Sequence, residues 1–266
     1  MSEPTILITN DDGIQARGLA ALEEALSPLG QVWVVAPDSE QSAVSQAITL
    51  RHPVRVRKRG ERRYAISGTP TDCAYVALNH LIDRVDVCVS GINHGANLGD
   101  DVIYSGTVAG AIEATLVDVP AIAVSLAAYG DLEFDAAATV ARRLTERVLE
   151  RGLPRGVFLN VNVPREATES SDLVVCKLGR RNYGRVVEEK LDPRQRPYYW
   201  LGGAELGFDD IPGSDCNVIS EGKVSVTPVH LDLTDYGFAR ELEHWEGLEG
   251  FYGAPSPLED SQEELD

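Results

Sequence analysis

The apolar positions of this chain fall into short continuous runs separated by stretches with a helical period. Residues 5–9, TILIT, form a run suited to burial on both faces, which predicts a strand of a parallel sheet. Residues 17–29 then place Leu19, Leu22 and Leu26 on one face, which predicts a helix. The runs QVWVVAP (31–37), DVCVSG (86–91), PAIAVSL (120–126) and GVFLNVNVP (156–164) predict further strands, with Pro37 ending the first of them. TVAGAIEATLVD (107–118) and residues 133–151 predict helices between strands. This alternation implies βαβ units and a mostly parallel sheet flanked by helices, an α/β fold. Right-handed crossovers then gather the loops that follow the strands at one sheet edge.

Two segments depart from the alternation. Residues 51–67 carry seven basic residues between Arg51 and Arg63, with Val54 and Val56 alternating with Arg55 and Arg57 and a turn at Gly60. They read as a solvated hairpin, with an anion-collecting patch as the alternative. Beyond residue 165 short strand-like runs and turns replace the alternation, and EGKVSVTPVHLDLT (221–234) is a strand with Pro228 inside it. The expected organisation is a catalytic core over 1–165 and a β-rich extension over 166–266 that completes the core and mediates oligomerisation. The last 13 residues, with five acids and two prolines, are expected to fray.

The edge where ligands bind in an open α/β sheet collects NDDG (10–13), PDSEQS (37–42) and SGINHGANLGDDVIYSGT (90–107). Asp11 and Asp12 are adjacent carboxylates at a strand end. A hairpin turn does not explain them, because a helical period follows. Helix capping explains one carboxylate only. A divalent cation relieves the repulsion of both, and oxygen ligands suit Mg²⁺ or Mn²⁺. Ser42 and Asn93 offer neutral oxygens from loops at the same edge. Ser105, Gly106 and Thr107 precede a helix, and free N–H groups there suit an anion, beside the plainer reading of an ordinary N-cap. His94 is either a general acid or a bystander. No G-x-G-x-x-G is present, so a dinucleotide cofactor is not expected.

Composition narrows the partners. At 266 residues, 43% hydrophobic and 25% charged, the chain is an ordinary globular protein. A formal net charge of -18 repels nucleic acid, so no nucleic-acid partner is expected. Acid excess with only four Lys resembles a salt-adapted composition, for which stability and activity depend on molar salt. No apolar run reaches membrane-spanning length, and the first residues lack the basic region of a signal peptide. A cytoplasmic protein with no membrane partner is the expectation. Cys73, Cys88, Cys176 and Cys216 form no C-x-x-C pair and read as reduced, buried thiols.

ILITNDDGI, VVAPDSEQSAVSQAITL, GTPTDCAYVAL, VSGINHGANLGDDVIYSGTVAGAIEA and PAIAVSL together resemble the SurE family of nucleotidases. The resemblance is dense over residues 5–126 and resumes at NVNVP (160–164), YYW (198–200) and 221–234. It implies a Rossmann-like core and a metal-dependent phosphatase acting on nucleoside monophosphates. It also implies homodimers or homotetramers built by exchange of C-terminal elements. One divalent ion per subunit, Mg²⁺ or Mn²⁺, would be held by Asp11, Asp12, Ser42 and Asn93, with Asp11 and Asp12 also catalytic. Asn97, Ser105, Gly106 and Thr107 would line the phosphate pocket. Many relatives have Gly where this chain has Ala43, and a basic DRNRS-type loop where it has DSEQS. Attack by a water in line with the leaving group is the leading expectation, a covalent aspartyl-phosphate the alternative. A receiver-like signalling domain also carries an acidic pair after its first strand. It needs an Asp ending its third strand and a Lys ending its fifth, and neither is present. A non-catalytic nucleotide sensor is the other rival.

Overall fold

The computed structural model describes residues 3–245 apart from 131, 169, 184–186 and 202–205, together with residue 248. The C-terminal stretch expected to fray lies outside the described residues. By its internal contacts the chain divides into two units, Met1–Val229 and His230–Asp266.

The first unit is built on a nine-stranded sheet. Its central strands are β1 (Thr5–Thr9), β2 (Gln31–Pro37), β5 (Val87–His94), β6 (Ala121–Ala127) and β7 (Val157–Pro164). The basic hairpin supplies β3 (Val56–Lys58) and β4 (Arg63–Ile66), and the extension supplies β8 (Leu173–Val175) and β13 (Val224–His230). The order is β3-β4-β2-β1-β5-β6-β7-β13-β8. β1 pairs in parallel with β2 on one side and β5 on the other, so the strand order reverses at β1. A crevice opens where the order reverses, beyond the carboxyl ends of β1 and β5. The hairpin is antiparallel, as read from its alternation, and Arg57 and Arg63 pair with Asp38 and Glu23.

The predicted strands are present with small shifts of boundary. β1 is apolar because both faces are covered. Ile6, Leu7 and Ile8 are fully buried, with helix α1 (Arg17–Leu26) presenting Leu19, Leu22 and Leu26 on one side. Each such side chain contributes about 2 kcal/mol of transfer free energy. The helix stops at Leu26 rather than continuing to residue 29, because Pro28 lacks an N–H and residues Ser27–Leu29 tighten into a 3₁₀ turn. Helix α2 (Pro70–Val76) begins with Pro70 behind a capping box in which Thr69 and Asp72 satisfy each other's backbone N–H groups. Helix α3 (Gly106–Leu116) and helix α4 (Asp135–Arg151) occupy the two stretches predicted for them.

One boundary differs in a way that bears on function. The strand expected to end at Gly91 runs on to His94, with a shift of pairing to β6 between Ser90 and Asn93. Asn93 therefore lies at the end of a strand paired with Ser125, not on a free loop. The peptide Gly91–Ile92 is cis, and a Cβ on Gly91 would stand 2.3 Å from the Val124 carbonyl oxygen, so only glycine fits.

The extension also forms two small antiparallel pairs. β9 (Arg181–Tyr183) pairs with β12 (Leu206–Phe208), and β10 (Val187–Leu191) pairs with β11 (Pro197–Leu201). Every residue of β10 and β11 is exposed. Helix α5 (Asp215–Ser220) precedes β13. Among its described residues the second unit carries one short helix, α6 (Tyr236–Leu242), capped by Asp235. All four cysteines are free and buried. Among the described residues no helix is long and apolar enough to cross a membrane.

Candidate active site

β1 delivers Asn10, Asp11 and Asp12 to the crevice. Asn10 is buried and its amide donates to the Gly13 carbonyl at 3.1 Å, which turns the chain toward α1. Asp11 is 4% exposed. Its Oδ1 accepts a short hydrogen bond from the Thr107 hydroxyl, and its backbone carbonyl accepts from Gln41 N at 2.7 Å. Burial pushes its carboxyl up to about 6, against the lowering effect of Thr107, and the neighbouring charge of Asp12 adds to the rise. Asp12 is half-buried and accepts from the backbone N of His94 at 3.3 Å. Its carboxyl is also raised, chiefly by burial, with His94 opposing and Glu40 reinforcing the shift. The His94 ring is stacked on Phe134, centroid to centroid 5.0 Å.

The start of α3 faces this pair. Ser105 caps the helix, its Oγ accepting from Val108 N at 3.1 Å. Thr107 holds Asp11 through both its hydroxyl and its backbone N–H, so neither group is left free for a phosphate. A Cβ on Gly106 would lie 2.8 Å from Asp11 Cβ and 2.9 Å from Oδ2, so glycine is what lets α3 approach the carboxylate.

The loop after β2 closes a second side. Ser45 ties it to the segment before α3, with Ser45 N donating to the Tyr104 carbonyl at 3.0 Å and Ser45 Oγ to the Ile103 carbonyl at 2.6 Å. Ser42 lines the crevice, and its hydroxyl donates to Glu40 at 2.8 Å. Ala43 has φ 56°, in the left-handed region that glycine adopts without strain. This chain thus keeps a left-handed turn beside Ser42 without a glycine. Replacing Ala43 by Gly is expected to raise stability by about 1 kcal/mol, read as a rise in Tm of about 2 °C. An unchanged or lower Tm would show that the loop does not hold this conformation.

On the third side, Asn93 donates through Nδ2 to the Gly95 carbonyl at 2.9 Å, which leaves its Oδ1 as an acceptor. Asn97 is held by a buried polar net. Its backbone N donates to Asn162 Oδ1 at 2.8 Å, and its carbonyl accepts from Asn160 and Asn162 at 2.9 and 3.0 Å. Its own Nδ2 donates to Ser125 Oγ at 2.7 Å. Asn160, Asn162 and Ser125 are fully buried. Sequence reasoning gave Asn160 and Asn162 no role. The signal was there: two amides at i and i+2 in an apolar run put polar groups on one buried face, and buried amides need partners.

The fourth wall comes from the extension and was missed altogether. Asp215 is fully buried and accepts from Gly99 N at 2.9 Å and Gly179 N at 2.7 Å, which clips the extension to the loop before α3. β9 then carries Arg181 and Tyr183 into the crevice against Asp101. Tyr183 donates a short hydrogen bond to Asp101 Oδ1, and Arg181 Nε lies 3.1 Å from Asp101 Oδ2 without the alignment of a hydrogen bond. No pattern in β9 alone reveals this, because a three-residue strand has too few positions for a period.

The resulting cleft has a volume of about 330 Å³ and is lined by Asp11, Ser42, Asn93, Asn97, Ser105 and Arg181, with Tyr104, Tyr129 and Tyr183 among the residues around it. A second cavity of about 310 Å³, by Asp118 and Arg155, lies before β6 and β7 and has no paired carboxylates. The buried Asp11, its carboxyl raised, shares the cleft with the neutral oxygens of Ser42 and Asn93, and the half-buried Asp12, also raised, is its neighbour in the chain. The charges acting on the pair come from each other, Glu40 and His94. That donor set fits a hard divalent cation. Among the described residues no group of three or more His, Cys, Asp or Glu could hold a metal, so a site rich in nitrogen or sulfur is not on offer.

Residues 6–185 match the family model described as Survival protein SurE. A 5'-nucleotidase SurE of Myxococcus xanthus is 53% identical over 249 residues, covering 92% of this chain and 94% of its own length. A 5'-nucleotidase SurE of Geotalea daltonii is 53% identical over 244 residues, covering 91% and 98%. The crystal structure of the Sure protein from Aquifex aeolicus superimposes with a TM-score of 0.80 at 37% identity, covering 90% of this chain and 98% of that one. With a family model over most of its length, relatives at half identity end to end and the same fold in a solved structure, this chain belongs to the SurE family.

Proposed function

We propose that this protein is a divalent-metal-dependent 5'-nucleotidase that hydrolyses nucleoside monophosphates to nucleoside and phosphate. The observation that carries the reading is the buried Asp11 on the cleft wall, with the half-buried Asp12 next to it and the start of α3 packed against its carboxylate. A cation-seeking group and an anion-seeking group there stand one phosphoryl apart in function. The names of the relatives support the activity.

Asp11, Asp12, Ser42 and Asn93 would hold Mg²⁺ or Mn²⁺. When bound, that ion supplies charge neutralisation at the phosphoryl oxygens and acidifies water. The chain's own groups do the positioning. The Gly106 N–H at the head of α3 donates to a phosphoryl oxygen, and Asn97, immobilised by Asn160, Asn162 and Ser125, fixes one side of the group. Thr107 keeps Asp11 in place rather than touching the substrate. Asp12, less buried and bonded through the His94 backbone, orients the attacking water. Tyr104 and Tyr129, 64% and 69% exposed, offer faces for the nucleobase at the cleft mouth. The exposed β10–β11 hairpin, with Trp200 at 61% and Leu201 at 83% exposure, is the surface on which we place homodimer or homotetramer formation. Free, buried cysteines fit a reducing cytoplasm.

Phosphate release from AMP and GMP with added Mn²⁺ tests the activity. Release on Mn²⁺ addition, abolished by chelation, is the expected result. Binding of AMP without release would indicate a sensor. Trapping a phosphoenzyme in a single turnover would assign the attack to a carboxylate instead of water. The receiver-like alternative loses ground in the fold, since β5 runs through Ser90 and Asn93 where an acceptor Asp would stand.

A further inference from the structure

We propose that Arg181, delivered by the C-terminal extension, is a phosphate-binding residue of the cleft, kept in place by Asp101 and Tyr183. The proposal rests on the phosphomonoester reading of the site.

Charge is the first argument. A divalent ion and the carboxylates of Asp11 and Asp12 sum to zero and Asp101 adds a negative charge, so without Arg181 a phosphate dianion would enter a cleft of net negative charge. It would do so in a protein of net charge -18. The DSEQS loop adds Glu40 nearby rather than a base. Arg181 is the one Lys or Arg among the described residues that line the cleft. No other charged side chain there is of the right sign and permanently ionised.

Geometry is the second. The Arg181 side chain is 13% exposed and that of Asp101 is 12% exposed. Burying an ion pair is costly unless its remaining donors are satisfied. The Arg181 Nε, although 3.1 Å from Asp101 Oδ2, makes no aligned hydrogen bond. Among the described residues no hydrogen bond takes up Nη1 or Nη2. A guanidinium fork with unused donors on the wall of a cleft matches the bidentate geometry of a phosphate. A pair that served only the fold would be expected to use them.

Rigidity is the third. The Tyr183 ring lies 5.7 Å from the guanidinium, and its hydroxyl ties Asp101 from the other oxygen. Asp215 anchors the loop carrying Asp101 and the start of the extension through Gly99 and Gly179. Arg181 is thus held before substrate arrives, which lowers the entropy lost on binding. Asp101 keeps the guanidinium from repelling the metal ion that shares the cleft. The extension therefore completes the phosphate pocket.

The test compares wild type, Arg181→Gln and Arg181→Lys as full chains with Mn²⁺. Inorganic phosphate binding is measured by calorimetry, beside AMP hydrolysis and inhibition by phosphate and by adenosine. Arg181→Gln is expected to weaken phosphate binding about 10- to 100-fold, as for loss of charged hydrogen bonds, and to raise KM for AMP. Adenosine inhibition should be unchanged. Arg181→Lys keeps the charge but not the fork and should weaken phosphate about 3- to 10-fold, a comparison that survives if the Gln variant does not fold. Phosphate binding within twofold of wild type in both variants, or equal weakening of phosphate and adenosine, would overturn the proposal. Absence of phosphate release from AMP by the wild type would fault the nucleotidase reading, while the calorimetry still decides on Arg181.

Discussion

Asn in place of Asp11 is expected to lower kcat/KM for AMP about a thousandfold while making the metal-free protein more stable at neutral pH. The two effects have one cause. Asp11 is held at 4% exposure with its carboxyl pushed up to about 6 from 3.8, mainly by burial. A folded-state pKa raised this way contributes stability that is full below about pH 4 and is lost as pH rises through 6. At neutral pH the loss is on the order of 3 kcal/mol. A charge that costs the apo fold this much is what a cation would offset on binding. Asn has nearly the same shape, keeps a hydrogen-bond acceptor toward Thr107 and carries no charge. Urea midpoints of chelator-treated protein should therefore fall between pH 4 and 7 for wild type and less steeply for Asp11→Asn. Activity should move the other way, since losing one charged ligand removes several kcal/mol of transition-state stabilisation, about 4 for a thousandfold. Near-normal turnover would remove Asp11 from the ligand set. A stability profile as steep as wild type would show that the charge is not buried as described.

What the sequence made legible was the layer of the site built from strand ends. TILIT ends at Thr9, just before Asn10, Asp11 and Asp12, because a strand buried on both faces must be apolar, so the polar run after it marks its exit at the sheet edge. The helix after NDDG, the N-cap at Ser105 and the hairpin at 56–66 are likewise local patterns, written in contiguous residues. Asn93 was singled out for its neutral oxygen but placed on the wrong kind of element, because the shift of pairing after Ser90 depends on how closely β6 passes Gly91. Asn160 and Asn162 were passed over, although amides on one face of a buried strand demand partners. The wall formed by Asp101, Arg181 and Tyr183 was not legible at all. It comes from the pairing of loops more than seventy residues apart, held by one buried carboxylate, Asp215, whose partners are the backbone amides of Gly99 and Gly179. Backbone partners leave no trace in the side-chain pattern.

Asp11 and the head of α3 touch at Gly106 as well as at Thr107, and Gly106→Ala tests the first of these contacts. The variant is expected to lower kcat/KM about a hundredfold or more with only a modest change in Tm. Ala is a good residue for a first helical turn, and α3 itself gains from it. The Cβ it adds, however, would stand 2.8 Å from Asp11 Cβ and 2.9 Å from Oδ2. Neither partner can retreat at low cost. Asp11 is fixed by Thr107 on its side chain and by Gln41 on its carbonyl, and its Cβ is set by the end of a strand paired on both sides. The head of α3 is fixed by the Ser105 cap and by the ties from Ser45 to residues 103 and 104. The overlap is resolved by turning the Asp11 carboxylate or by moving the helix start, and a displacement of about 1 Å in a catalytic group costs on the order of a hundredfold. Moving Asp11 weakens metal binding, whereas moving α3 weakens phosphate binding and leaves the metal in place. Titrating Mn²⁺ and inorganic phosphate separately into Gly106→Ala therefore shows which side yields. Wild-type values for both, with wild-type turnover, would mean that the close approach of Gly106 to Asp11 does not exist in solution.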